Sequence, residues 1–185
     1  MRNILVVLSG PSGVGKGTIA KLLIEKNNNL SLSISCTTRS PRENEVDGRE
    51  YFFIPKEQFV SKIDENGFLE YSNHFENYYG TPKDFVLNKL QQNDVLLEID
   101  VNGGLNVKKS YPDAILIMIT PPSIGEIKRR LEMRGTETAE KITLRMQRID
   151  YELEQQNKYD YVVVNDKLEK AIEEIENIIK IEKNK

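Results

Sequence analysis

The sequence predicts an α/β protein built on a five-stranded parallel sheet covered by helices on both faces. Three observations carry that prediction. Apolar, β-branched runs of strand length recur at residues 3–9, 30–35, 94–100, 114–119 and 161–164. Helical patterns separate them, as the crossovers of a parallel sheet require. The first run also breaks into a glycine-rich turn and then a helical pattern, the strand–turn–helix order of a phosphate loop.

That turn reads Gly10, Pro11, Ser12, Gly13, Val14, Gly15, Lys16, Gly17, Thr18. Glycines let successive N–H groups point inward and form a concave nest for phosphate oxygens. The helical pattern starts at Ile19, and a helix N-terminus adds unsatisfied N–H groups and a positive dipole end. Lys16 supplies a mobile cation for β- and γ-phosphates. The strict pattern places Ser or Thr after Gly-Lys, with its hydroxyl on Mg²⁺. Gly17 stands there instead, with Thr18 one place later.

Composition narrows the class. The 185 residues suit one domain. Net charge is −3, which argues against a nucleic-acid partner held by bulk positive charge. The single Cys36 excludes an internal disulfide and agrees with a reducing compartment. Residues 4–8 are too short for a signal segment, and no apolar run approaches a membrane span. The expectation is a cytoplasmic protein with no membrane partner.

Along the chain, residues 19–26 form an amphipathic helix, which Asn27, Asn28 and Asn29 end in a left-handed cap. Residues 30–35 read as one half-buried strand and 36–48 as an ordered loop. Residues 51–54 are a strand, 56–63 a helix closed at Gly67, and 68–71 and 77–81 short strands. The stretch 36–83 holds most of the aromatics and reads as a small mixed insertion. A helix over 84–92 leads to the strand 94–100, and Asn102, Gly103 and Gly104 open a helix to Ser110. After the strand 114–119, Pro121 and Pro122 stop the chain, and Ser123 with Glu126 marks a capping box. Two helices follow, to Gly135 and then over 136–157, the second poor in apolar residues. A last helix after Leu168 places Ile172, Ile175, Ile178 and Ile179 on one face.

Ligands of such sheets bind beyond the carboxyl ends of the strands, so the polar residues there are the candidates. Asp100 carries two readings: a water-mediated Mg²⁺ partner or a helix cap. Arg39 and Arg42 flank Ser40 and Pro41, and two arginines so spaced fork around one phosphate. With Ser35, Tyr51, Tyr79 and Thr81 they make a coherent second anion site. Glu70 and Glu98 sit at strand positions; a carboxylate accepts both guanine N1–H and N2–H₂, or else pairs with local cations. Arg130, Arg134, Arg145 and Arg148 lie on the two helices after Pro122. They suit in-cis arginine fingers, although a solvated face is the preferred reading for Arg130 and Arg148. His74 and Cys36 have no partner pattern for catalysis.

These segments together resemble the guanylate kinases of bacteria and yeast. The resemblance rests on SGPSGVGKGT (9–18), SCTTRSPR (35–42), EVDG (45–48), YFF (51–53), NYYG (77–80), LEIDV (97–101), PPS (121–123), RGTET (134–138) and VND (164–166). It implies a P-loop NTPase fold with a core (1–35, 84–123, 158–185), a GMP-binding subdomain (36–83) and a helical lid (124–157). It implies transfer of the γ-phosphoryl group of ATP to GMP and dGMP, giving ADP and GDP in purine nucleotide metabolism, with Mg²⁺. By position, Ser35, Glu70, Thr81 and Glu98 would meet guanine, and Arg39, Arg42, Tyr51 and Tyr79 the GMP phosphate. Lys16, Arg134 and Arg145 would stabilise the transferring group. Some relatives carry Ser at position 17, Ser at 81 and Asp at 98. Two rivals remain: a kinase-like interaction module, which the intact Lys16 loop disfavours, and a kinase of another nucleoside monophosphate.

Overall fold

The computed structural model describes residues 2–74, 76–133 and 139–185. Its first part runs β1 (Leu5–Ser9), α1 (Lys16–Lys26), β2 (Leu30–Leu32), β3 (Ser35–Thr37) and β4 (Tyr51–Phe53). Next come α2 (Lys56–Asp64), β5 (Phe68–His74), β6 (Asn77–Pro82) and α3 (Lys83–Leu90). Then follow β7 (Asp94–Glu98), α4 (Val101–Ser110), β8 (Ile115–Thr120), α5 (Ile124–Met133) and α6 (Ala139–Glu154). A 3-10 turn at Gln155–Lys158 leads to β9 (Tyr161–Val164) and α7 (Leu168–Lys183).

Five strands form a parallel sheet in the order β2-β7-β1-β8-β9. β1 is central, so the glycine loop leaves the middle of the sheet's carboxyl edge. Successive residues of β1 bury on opposite faces: Val6 and Leu8 join Leu23, Ile172 and Ile175, whereas Leu5 and Val7 join Val86, Val101 and Val107. Helices α1 and α7 therefore cover one face, and α3 and α4 the other. Covering on both sides is why the strand reads as a continuous apolar run rather than an alternating one.

A second, mixed sheet of order β4-β3-β6-β5 stands beside the first. β3 pairs parallel with β4 and antiparallel with β6, which pairs antiparallel with β5. Its own small core is Cys36, Phe59 and Phe68, and burial pushes the Cys36 thiol up to about 11.

Several local expectations are corrected. Residues 30–35 are not one strand: β2 pairs with β7, and the chain breaks at Ser33 and Ile34 so that β3 joins the other sheet. Cys36 and Thr37 are accordingly strand rather than loop. α1 starts at Lys16, three residues before Ile19, because Gly15 serves as its N-cap. Asn27 is extended rather than left-handed, and after α2 the left-handed residue is Asn66 rather than Gly67. α4 starts at Val101, which places Gly103 and Gly104 inside the helix.

Candidate active site

The loop between β1 and α1 is held open from behind. Gly15 has φ +103°, and a side chain there would begin 2.6 Å from Asn165 Nδ2, so both conformation and space call for glycine. Asn165 Nδ2 donates to the Val14 carbonyl at 2.8 Å, and Arg130 Nη1 reaches the same oxygen at 3.3 Å. That carbonyl is thus drawn into the protein, and the Val14 N–H turns back to the Pro11 carbonyl at 3.3 Å. No side chain caps α1, and its first turn carries no acidic residue, so its N–H groups and positive end are offered to an anion. Lys16 Nζ folds over the loop, donating to the Gly10 and Pro11 carbonyls at 2.7 and 3.1 Å. Pro11, Ser12 and Thr18 complete the segment, Pro11 buried and Thr18 exposed. A cavity of about 420 Å³ opens against it, lined in part by Gly13, Thr18, Arg130, Asn165 and Asp166.

A second cavity of about 180 Å³ lies at the junction of the two sheets. Ser35, Tyr51, Glu70, Tyr79, Glu98 and Asp100 line it. β5 and β6 place Glu70 opposite Thr81, and the Thr81 hydroxyl donates to Glu70 Oε1 at 2.6 Å. Both are buried. Burial pushes the Glu70 carboxyl up to about 7, opposed by the Thr81 bond and aided by the Asp100 charge. Gly103 keeps the two acids close, since a side chain there would begin 3.1 Å from Glu70 Oε2 and 3.2 Å from Asp100 Oδ1.

Arg39 lies at the rim over Tyr51 and Phe53, 5.7 and 5.8 Å from the ring centres. Its Nη2 pairs with Glu45 Oε1 at 3.0 Å, and it hydrogen-bonds Tyr79. Glu45 also accepts from the Arg42 backbone N–H at 2.7 Å, and the Arg39 guanidinium holds its carboxyl below the usual range. Arg42 is exposed beside them. The sequence flagged the arginines; it did not reveal Glu45 as their internal partner.

Glu98 of the second cavity also faces the phosphate loop. Position 17 faces its carboxylate, and a side chain there would begin 3.6 Å from Glu98 Oε2. Asp100 caps α4, accepting from the Gly103 N–H at 2.7 Å. Of its two readings the helix cap is therefore realised, and the carboxylate still lines the second cavity.

Arg130 is not on a solvated face, contrary to the expectation from the sequence. Its side chain is 23% exposed, pairs with Glu126 at 2.7 Å and donates to the Val14 and Asn165 carbonyls. An (i, i+4) spacing to Glu126 was legible; the contact across the fold was not. Ser123 caps α5 through the Glu126 N–H, but the Glu126 carboxylate turns to Arg129 and Arg130 instead of completing a box. Arg148 is exposed as expected. Arg134, and the side chains of Arg145 and His74, lie outside the described residues. Among the described residues no cluster of three or more His, Cys, Asp or Glu side chains could hold a metal ion. No helix is long and apolar enough to cross a membrane.

A phosphate loop at the centre of a parallel sheet, facing a second polar cavity across one carboxylate, defines a P-loop phosphotransferase. The guanylate kinase family model matches residues 2–182. The chain is 51% identical to the guanylate kinase of Caldanaerobacter subterraneus over 98% of its own length and 89% of that protein's. It is 50% identical to the enzyme of Clostridium tetani, with 98% and 88% covered. The crystal structure of guanylate kinase from Anaplasma phagocytophilum superposes with TM-score 0.79 at 29% identity, over 100% of this chain and 88% of that one. This chain belongs to the guanylate kinase family. Its activity is the ATP-dependent phosphorylation of GMP to GDP, and kinases of this kind use ATP with a divalent metal.

Proposed function

We propose that the loop cavity is the ATP site and the junction cavity the GMP site. Residues 36–83 act as the GMP-binding subdomain and 124–157 as the lid over a core of 1–35, 84–123 and 158–185. What carries the reading is the buried Glu70–Thr81 pair inside the second cavity. A desolvated carboxylate accepts the N1–H and N2–H₂ of guanine and repels the N1 lone pair of adenine. Ser35 and Glu98 complete the base contacts, and Arg39, Arg42, Tyr51 and Tyr79 hold the GMP phosphate. The loop from Gly10 to Thr18 wraps the ATP phosphates, and Lys16 neutralises charge on the transferring group together with Arg134 and Arg145.

Mg²⁺ is the divalent metal of this reading. The residues fit it: Asp100 lines the second cavity, and Mg²⁺ takes few protein carboxylates and keeps its waters. Asp100 would hold it through water. When bound, it neutralises phosphate charge. The rest is done by the chain. The acceptor is a phosphate oxygen already anionic near neutral pH, so alignment and charge neutralisation in a closed site suffice, without a general base.

A coupled ADP-release assay with GMP, dGMP, AMP, CMP and UMP tests the assignment. Turnover is expected with GMP and dGMP. Comparable turnover with AMP would remove Glu70 and Glu98 from base recognition.

A further inference from the structure

Tyr159 follows the 3-10 turn that ends the proposed lid and precedes β9. Its ring is 8% exposed and packs with Val101, Leu116 and Met118. A phenylalanine would satisfy that packing; a buried hydroxyl must find partners. The Tyr159 hydroxyl donates to the Val101 carbonyl at 2.9 Å. The Ser9 hydroxyl has two acceptors in reach, the Asp100 carbonyl at 3.2 Å and the Tyr159 oxygen. Space for both hydroxyls exists because residue 104 is glycine. A side chain there would begin 2.5 Å from the Tyr159 oxygen and 2.7 Å from that of Ser9.

The pair therefore grips two consecutive carbonyls, those of Asp100 and Val101, at the turn that caps α4. The same turn fixes the Asp100 carboxylate through Oδ1 and the Gly103 N–H. Ser9 is the residue before Gly10, so the grip ties the acid's turn to the root of the phosphate loop. A hydroxyl network of this sort orients a metal's partner without touching the metal.

We propose that Tyr159 is a positioning residue: with Ser9, in the space left by Gly104, it locks the Asp100–Val101 turn to the start of the phosphate loop and so sets where the Asp100 carboxylate meets the metal of ATP. The inference rests on Asp100 being a metal partner. The readout is ATP affinity by equilibrium titration with and without Mg²⁺, alongside GMP affinity and the thermal midpoint, for Tyr159→Phe, Asp100→Asn and the double variant. Tyr159→Phe is expected to cut the affinity gained from Mg²⁺ by about tenfold, leaving metal-free ATP and GMP affinities within about twofold. Asp100→Asn should give the same loss, and the double variant no more than either alone.

If Asp100→Asn loses the gain and Tyr159→Phe keeps it, the positioning role is overturned while the metal reading stands. If Asp100→Asn keeps the gain, the metal reading falls and the proposal with it. Uniform weakening of all three titrations in step with a lower midpoint, or fully additive losses in the double variant, overturns it as well. Should Tyr159→Phe not fold, Ser9→Ala is judged by the same criteria.

Discussion

At the scale of single residues, the protonation of Glu70 sets how the second cavity, the proposed acceptor site, responds to pH. Its carboxyl titrates near 7 rather than at its ordinary 4.5 because burial disfavours the charged form. The unfolded chain releases this proton first, so between those two values the native state binds more protons. The stability of the free protein therefore falls as pH rises through that window. In the proposed site GMP recognition needs the carboxylate, and so it runs the other way. The GMP KM is expected to rise by up to about tenfold per pH unit below 7 while the ATP KM stays flat. Glu70→Gln should weaken GMP more than ATP and lose that slope; equal effects on both constants would remove Glu70 from the base site. Lys16→Met is expected to lower kcat by about a hundredfold or more with an unchanged thermal midpoint, and near-normal turnover would refute its role.

At the scale of elements, α5, the start of the proposed lid, is also a buttress for the phosphate loop. Leu131 and Ile127 press on Gly13, pack with Ile142 and Ile149 of α6, and Arg130 reaches the Val14 carbonyl. Asn165, at the end of β9, holds the same carbonyl from the other side. Asn165→Ala is expected to raise the ATP KM several-fold with little change for GMP; the reverse pattern would show that the loop keeps its shape unaided. The glycine loop, the two arginines and the acids of the second cavity were legible because their chemistry sits in short contiguous motifs. Arg130, Asn165 and Glu45 were not, because their partners are Val14, 116 and 151 residues away, and an arginine inside the site. Periodicity reports which face a helix buries, not which carbonyl a charged side chain finds.

At the scale of the whole molecule, the five-stranded parallel sheet was legible from run lengths and the helices between them. The assignment of Ser35, Cys36 and Thr37 to a second sheet was not, since two residues of chain separate it from β2 and both pieces read as one apolar alternation. The far end of the main sheet is tied by Asp94. It is fully buried and accepts from the Ile4 N–H at 3.0 Å, Asn29 Nδ2 at 3.2 Å and Lys183 Nζ at 2.6 Å. One carboxylate thus joins the residue before β1, the start of β7 and the end of α7. Asp94→Ala is expected to cost about 3 kcal/mol in denaturant unfolding with kcat unchanged; a loss below about 0.5 kcal/mol would show the tie to be ornamental.

The consecutive glycines of α4 have a geometric consequence. Gly103 makes room on one side for Glu70 and Asp100, and Gly104 on another for Ser9 and Tyr159. Two glycines inside a helix forgo about 2 kcal/mol of propensity relative to alanine. What the molecule keeps in exchange is thinness. Between the Glu70 side of the second cavity and Ser9 at the root of the phosphate loop stands a single thickness of backbone, and any side chain on it would push those two walls apart.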